Sequence, residues 1–484
     1  MFKKTNFAIA IILFLSFLFY SYYTGATSAN LMLSVVVLMV YLWITEAIHI
    51  SITALIPIIL FPILGIAKAN DVAKEYFNSI ILIYLGGFII ALCMEKWNLH
   101  RRIALNILSV MGNKPIFVLF GFMIATALIS AFISNVATTT MMFPIALALT
   151  KNINDEENTT NQFAKAVMLS IAYSASIGGV ATLIGTAPNL AFAGIMKQNF
   201  PDFIPITFAN WLIFGVPISF VMLIITWIVL GKIMFKLPIK FSFSKNSIRE
   251  ELKKLDKIKK EEISLLIILI STALLWLFRA DIELGSFKIV GWSNLFAFPK
   301  FIDDSTVVIF MVLLLFIIPS KNGRIADISL FRKVPWEIIL LFGGGFALAM
   351  GFETSGLSKK IGELFISFNF KNEYLLMIFV CVLLTFLTEL TSNTATTYTL
   401  LPILSAIAIG LGVNPIYLML PATISASFAF MLPVATPPNA IVFSSGYIDI
   451  KDMIRTGLLL NFIGVIVITV ILSLFSFPFM GIKP

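Results

Sequence analysis

Long apolar runs recur along the whole chain, and they constrain its fold more than any other feature. A helix needs about 20 apolar residues to cross about 30 Å of hydrocarbon. Stretches such as 80–93 with its neighbours, 218–230, 263–278 and 456–475 form the cores of such spans. Each span closes its own backbone hydrogen bonds as a helix, which hydrocarbon demands. Of the 484 residues 59% are hydrophobic and 12% charged, where a soluble domain carries about twice that charged share. An all-α membrane protein is expected.

The net charge of +9 sits in short loops between apolar runs. The longest basic segment, Lys232 to Lys260, holds Lys236, Lys240, Lys245, Arg249, Lys253, Lys254, Lys257 and Lys259, mixed with Glu250, Glu251 and Asp256. Without interleaved aromatic platforms it reads as a cytoplasmic loop, partly amphipathic helix, and not as a nucleic-acid surface. Cys93 and Cys381 both lie inside apolar runs, which gives neither a disulfide framework nor a metal-ligand cluster. The first helix, with Lys3 and Lys4 before an apolar stretch to Tyr20, mimics a signal peptide and reads as an uncleaved span with its basic end inside.

Spans are expected near 7–24, 31–47, 51–66, 77–95, 164–198, 207–232, 262–279, 304–319, 336–352, 415–447 and 456–480, about 11 transmembrane helices. The regions 115–150 and 372–411 are too short for two full spans, and each has a polar cluster in its middle, Ser134-Asn135 and Ser392-Asn393. Both read as re-entrant hairpins with tips near the midplane. Entering and leaving on one side, they keep Lys96, Arg101, Arg102, Lys114, the long basic loop, Lys321, Arg324, Arg332, Lys333, Lys451 and Arg455 on the same face of the membrane. That face is cytoplasmic by the positive-inside bias, which places the N-terminus inside and the C-terminus outside. The outward segment 353–371, with Lys359, Lys360 and Lys371, runs against the bias.

A shift of 258 residues lays the two hairpins on each other without a gap. Gly87-Phe88 falls on Gly345-Phe346, Glu95 on Glu353, and seven of the twelve positions from 134 to 145 are identical to those from 392 to 403. The match resumes at a shift of 250, where Pro188-Asn189 meets Pro438-Asn439. With the expected topology the first hairpin opens from inside and the second from outside, so the halves are inverted. Inverted repeats with helices broken at the midplane are how many secondary transporters build one site that faces either side. The breaks lie at 185–189 and 433–439, where proline removes an amide donor and disrupts the preceding turn. Carbonyls and Ser, Thr and Asn oxygens there suit a hard monovalent cation such as sodium, and helix N-termini suit a carboxylate or oxyanion. No Arg or Lys occurs in either tip or break, so a divalent anion would draw its counter-charge from co-bound cations.

At these residues the chain resembles the divalent anion:sodium symporter family, which carries dicarboxylates, citrate or sulfate. The paired Ser-Asn-Thr motifs of that family look like Ser134-Asn135-Val136 and Ser392-Asn393-Thr394, and its C-terminal signature looks like the stretch from Ser427 to Val442. The resemblance implies sodium-coupled symport, with C4-dicarboxylates such as succinate as the expected substrate. It also implies a homodimer in the cell membrane and an elevator-type mechanism. Scaffold helices at 1–112 and 263–370 would support transport regions at 113–235 and 371–484, with a basic linker at 236–262. It implies sodium ligands at Ser130, Ser134, Asn135 and Gly185, and at Thr388, Thr391, Asn393 and Ala435. Substrate contacts would map onto Asn135, Val136, Thr186, Ser392, Asn393, Thr394 and Pro437. Val136 replaces the threonine of the first motif and Ala187 the first proline of a Pro-Pro pair.

Isolated membrane hydroxyls such as Ser170 and Ser405 usually bond backbone carbonyls or pack closely, whereas duplication lifts Ser134, Asn135, Ser392 and Asn393 out of that class. Gly86-Gly87 and Gly343 to Gly345 read as close helix packing. His49 and His100 have no carboxylate or metal-ligand partner within their own segments and read as interface or loop residues. Glu389, an acid at membrane depth, is a functional candidate by its cost alone, with a bracing hydrogen bond and a direct cation role both open. Two isolated histidines argue against an intramembrane enzyme, and the paired sites argue against a passive anion channel. A sodium-independent dicarboxylate exchanger and a sodium:sulfate or citrate symporter are the alternatives, with sodium the co-transported ion and no further cofactor, and with lipid the only other partner.

Overall fold

The computed structural model describes residues 2–112, 114–151, 159–237, 252–284, 287–321, 323–366 and 372–479. Lys240, Lys245, Arg249, Glu250 and Glu251 of the basic loop, and Lys371, lie outside them. The chain opens with α1 (Phe2–Tyr23) and α2 (Ser28–Thr45), the second started by Thr27, whose hydroxyl accepts from Asn30 N. The span expected at 51–66 is broken into α3 (Ile50–Thr53) and α4 (Ile56–Ile63). Pro57 opens α4 and Pro62 interrupts its end, so the apolar run does not continue as one helix.

A short α5 (Ala69–Glu75) leads into α6 (Ser79–Lys96), whose first amides, Ile80 N and Ile81 N, bond Asn78 Oδ1 at 3.1 Å. The first repeat continues as α7 (Leu99–Val110), α8 (Pro115–Ser130), α9 (Asn135–Lys151), α10 (Thr159–Ala181), α11 (Ala187–Asn199) and α12 (Phe208–Ile228). Two apolar helices follow, α13 (Lys260–Leu277) and α14 (Asp304–Ile317). The second repeat is α15 (Trp336–Thr354), α16 (Leu357–Ile366), α17 (Glu373–Leu387), α18 (Asn393–Leu411), α19 (Ile416–Ser425), α20 (Pro437–Phe443) and α21 (Ile450–Ile471). Each half ends alike, with wider π-type turns at Val229–Met234 and Leu472–Ser476 extending α12 and α21.

Both expected hairpins are present, α8 with α9 and α17 with α18; α8, α9 and α17 are too short to span alone, and α18, at 19 residues, reaches the length of a span. Among the described residues eight helices are long and apolar enough to cross a membrane, flanked by shorter apolar ones. The helix α10 is the most enclosed of the eight, with 94% of its span buried. It packs against α8, α9, α12 and α20. Two segments expected as loops, 96–114 and 353–371, instead carry the amphipathic helices α7 and α16, which lie against the hairpin arms α8 and α18. Two short β-hairpins, Ile282–Leu284 with Phe287–Ile289 and Pro319–Ser320 with Gly323–Arg324, are the departures from an all-helical chain among the described residues.

The histidine expectations hold unevenly. His100 is buried on α7, its Nδ1 2.8 Å from Met94 O, and so is not a loop residue. His49 is exposed, with Ser51 Oγ 2.7 Å from Nδ1 and Glu337 Oε2 3.9 Å from Nε2. That carboxylate comes from the first turn of α15, distant in sequence and out of reach of a reading by segment.

Candidate functional site

The duplicated polar clusters mark the turns of the hairpins. Between α8 and α9 the chain leaves the helix at Ala131 and re-enters at Asn135, where Ser134 Oγ accepts from Ala137 N at 3.3 Å. Between α17 and α18 it re-enters at Asn393. Opposite each tip lies a helix break, residues 182–186 between α10 and α11 and residues 426–436 between α19 and α20. Each break restarts at proline, Pro188 in the first turn of α11 and Pro437-Pro438 in that of α20, where a missing amide costs nothing.

The first tip and break bring oxygens together. Ser130 Oγ lies 2.7 Å from Asn135 Oδ1 and 2.7 Å from Ala175 O. A Cβ on Gly179 would lie 2.5 Å from Asn135 Oδ1 and 3.2 Å from Gly185 O, so both oxygens converge over a glycine. The second half repeats the arrangement. Thr388 Oγ1 lies 2.6 Å from Asn393 Oδ1 and 2.9 Å from Ala426 O. Thr391 Oγ1 bonds Leu387 O at 2.9 Å and Thr396 Oγ1 at 2.6 Å. Ser130 and Thr388 are fully buried behind the tips.

In front of the tips is a cavity of about 670 Å³. From the first half Ser134, Asn135, Val136, Gly185, Thr186 and Ala187 line it; from the second, Thr391 to Thr394 and Val434 to Pro438. Apart from Ser130 and Thr388, every residue expected at the sodium and substrate sites lines this one space. Its opposite wall comes from α2, α6 and α15, with Trp43, Glu46, Gly87, Phe88 and Ile338 among the lining residues. Gly87 and Phe88 stood out in the sequence through the repeat, where Gly87 read as helix packing and instead borders the cavity; Trp43, Glu46 and Ile338 were not singled out. No Lys or Arg lines the cavity, and among the described residues no three His, Cys, Asp or Glu side chains cluster. Neutral oxygens at this density suit a weakly charged hard cation, and an anion beside it gains the charge that the walls lack.

Glu389 is not part of the cavity wall. Its buried carboxylate accepts from Phe430 N at 2.8 Å, Met431 N at 2.9 and 3.1 Å, Leu432 N at 3.1 Å and Asn461 Nδ2 at 2.7 Å. Of the two roles open in the sequence, the geometry is that of a brace for the unwound chain. Ala131 stands at the equivalent place in the first half, where the break is shorter.

The scattered hydroxyls also resolve. Ser170 Oγ bonds Val167 O at 2.7 Å, and Ser405 Oγ accepts from Asn199 Nδ2 at 3.1 Å. Sequence reasoning assigned no role to Asn189 and Asn439, although their recurrence in Pro-Asn pairs was visible. Both are fully buried and pin the breaks.

The model of the sodium:sulfate symporter transmembrane region matches residues 2–482 of this chain. The Staphylococcus saprophyticus sodium-dependent dicarboxylate transporter SdcS is 39% identical over 451 residues, 91% of this chain and 85% of that protein. Its Staphylococcus aureus counterpart is 42% identical over 440 residues, 89% and 82% of the two chains. Among solved structures, MtrF of Neisseria gonorrhoeae aligns with a TM-score of 0.55 at 12% identity, covering 85% of this chain and 83% of its own. The YdaH transporter of Alcanivorax borkumensis aligns with a TM-score of 0.55 at 12% identity, covering 82% and 85%. At that identity the likeness concerns the fold alone.

Proposed function

The chain belongs to the sodium:sulfate symporter family, and from that premise we propose that it carries C4-dicarboxylates such as succinate across the cell membrane together with sodium. The observation that carries this reading is the meeting of two repeat-related oxygen clusters at one cavity without a basic side chain. A dianion entering that space loses hydration and finds no cationic residue. Sodium ions at Ser130, Ser134, Asn135 and Gly185, and at Thr388, Thr391, Asn393 and Ala435, supply the missing charge. Coupling follows, because the anion is held only when the cations are.

The substrate then touches Asn135, Val136, Thr186, Ser392, Asn393, Thr394 and Pro437. An amide such as that of Asn135 serves both ligands, its oxygen toward the cation and its nitrogen toward a carboxylate. The relatives named for dicarboxylate transport support that substrate class over sulfate, and the apolar Val136 in the wall favours an anion with methylenes.

The cavity lies between the tips and a wall formed by α2, α6 and α15, so substrate sits at the border of two bodies. An elevator-type movement of the hairpins and broken helices against that wall moves the site across the membrane, in a homodimer whose partner steadies the wall. With the N-terminus inside, the Glu46 and Ile338 ends of the wall are cytoplasmic, and the state described here faces inward.

Uptake of labelled succinate into proteoliposomes under a sodium gradient tests the reading. Uptake is expected to vanish when potassium or choline replaces sodium. Uptake that persists in their presence, driven instead by internal dicarboxylate, identifies an exchanger.

A further inference from the structure

The two halves carry the same parts in different surroundings. At the 258-residue shift Gly345 and Phe346 of α15 repeat Gly87 and Phe88 of α6, and Tyr398 of α18 falls on Thr140 of α9. In the second half these parts interlock. A Cβ on Gly345 would lie 1.9 Å from Tyr398 Cδ1, so the ring occupies the space that any side chain there would need. Tyr398 is fully buried, with ring centroids 5.5 Å from Phe342 and 5.8 Å from Phe346. Phe346 in turn covers Gly194 of α11, where a Cβ would lie 2.1 Å from its Cε1. Two knobs and two holes thus lock α11 and α18 to α15.

In the first half the same parts stand open. Gly87 and Phe88 line the cavity beside Asn135 and Val136. A Cβ on Gly87 would meet Ile184 at an ordinary 3.5 Å. Thr140 is exposed, its hydroxyl bonded to Val136 O at 2.8 Å. When inverted halves exchange roles, the contacts of one half are taken up by the other. The opposite state therefore seats Thr140 on Gly87 and brings Phe88 against Ser444, which the 250-residue shift places on Gly194. Both pairs fit worse, since threonine fills less of the hole than tyrosine and serine carries the Cβ that Gly194 lacks.

Resting on the elevator-type reading above, we propose that Tyr398, seated on Gly345, is a positioning residue that holds the transport region in the state described here and sets its balance with the opposite state. The ring acts by shape, and its hydroxyl has no hydrogen-bond partner among the described residues. It touches no ligand site, so the effect is on sidedness and not on the chemistry of binding.

The reporter is Val136→Cys, near-isosteric and facing the cavity, in the full-length protein, whose own Cys93 and Cys381 are buried. A membrane-impermeant maleimide is applied to either side of oriented vesicles, with and without sodium and succinate. Tyr398→Thr, which copies the residue of the other half, is expected to raise the labelling rate from the closed side about tenfold. Gly345→Ala closes the hole and is expected to act in the same direction. It decides alone if Tyr398→Thr does not fold. Unchanged sidedness in folded variants overturns the proposal. A parent protein never labelled from the closed side under any condition overturns the alternating-access reading itself.

Discussion

Asn189 and Asn439, 250 residues apart, hold the two helix breaks with the same pair of bonds. Asn189 Nδ2 donates to Gly179 O at 3.0 Å and Thr182 O at 2.8 Å, and Asn439 Nδ2 donates to Ala429 O and Leu432 O, both at 3.0 Å. Where a helix stops inside the protein, its last carbonyls lose their partners. Each asparagine adds a donor for two carbonyls at or within its break at once, from the far side of that break.

Removing either pin is therefore expected to unsettle the site behind it. Asn189→Ala or Asn439→Ala takes the side-chain donor from Gly179 O or Ala429 O, while Thr182 O and Leu432 O keep the amides of Gly185 and Ala435, a cost of about 1–3 kcal/mol for the one stranded carbonyl. The detergent-solubilised protein should melt several degrees lower, and uptake should fall because Gly185 and Ala435 lie within the loosened segments. Melting curves that superimpose on the parent would show the pins to be idle.

At Thr388 the hydroxyl and the side-chain shape can be tested apart. The hydroxyl lies 2.6 Å from Asn393 Oδ1 and 2.9 Å from Ala426 O. Thr388→Val keeps the shape and loses the oxygen, and the sodium concentration for half-maximal uptake is expected to rise about tenfold, the equivalent of one lost polar contact of about 1.4 kcal/mol. Thr388→Ser keeps the oxygen and should stay close to the parent. Equal sodium dependence in all three proteins counts against a cation at this locus.

Glu389 carries a different expectation. Three successive amides and Asn461 Nδ2 point at its carboxylate, so Glu389→Ala strands four buried donors, while Glu389→Gln keeps one acceptor. Stability should fall in the order parent, Gln, Ala, with the Ala variant losing more than about 3 kcal/mol. Folded Glu389→Ala protein with parental melting would refute the brace.

The hairpins were legible because two signals agreed there, the length of each apolar region and the duplicated Ser-Asn pair. The breaks were legible through the repeated pairs Pro188-Asn189 and Pro438-Asn439 in apolar runs, a stronger signal than a lone proline, which α9, α12, α18 and α19 each accommodate. The amphipathic helices α7 and α16 were not, because their basic residues read as loop charge once spans were sought by hydropathy alone. The partition of 51–66 escaped for a related reason, since Pro57 and Pro62 sit in a run apolar enough to pass as one span. The contact of Tyr398 with Gly345 needed three dimensions, as the sequence shows a repeat but not which half is closed.

Val136 is where the first motif departs from its repeat partner Thr394, and both residues line the cavity. Valine and threonine share a shape, but valine cannot donate a hydrogen bond. An anion between the tips therefore lacks on the first hairpin a charge-assisted bond worth about 1.5–3 kcal/mol when made. Sulfate presents oxygen in every direction and feels that loss fully. Succinate presents two methylenes, which can lie against the valine while its carboxylates reach the amides of Asn135 and Asn393. Succinate is thus expected to outcompete sulfate in the parent protein. Val136→Thr should improve sulfate or citrate binding relative to succinate by about tenfold, the lower end of the bond's worth. Competition against labelled succinate uptake, parent and variant side by side, measures both. Sulfate displacing succinate efficiently from the parent would defeat this account and leave Val136 a packing residue.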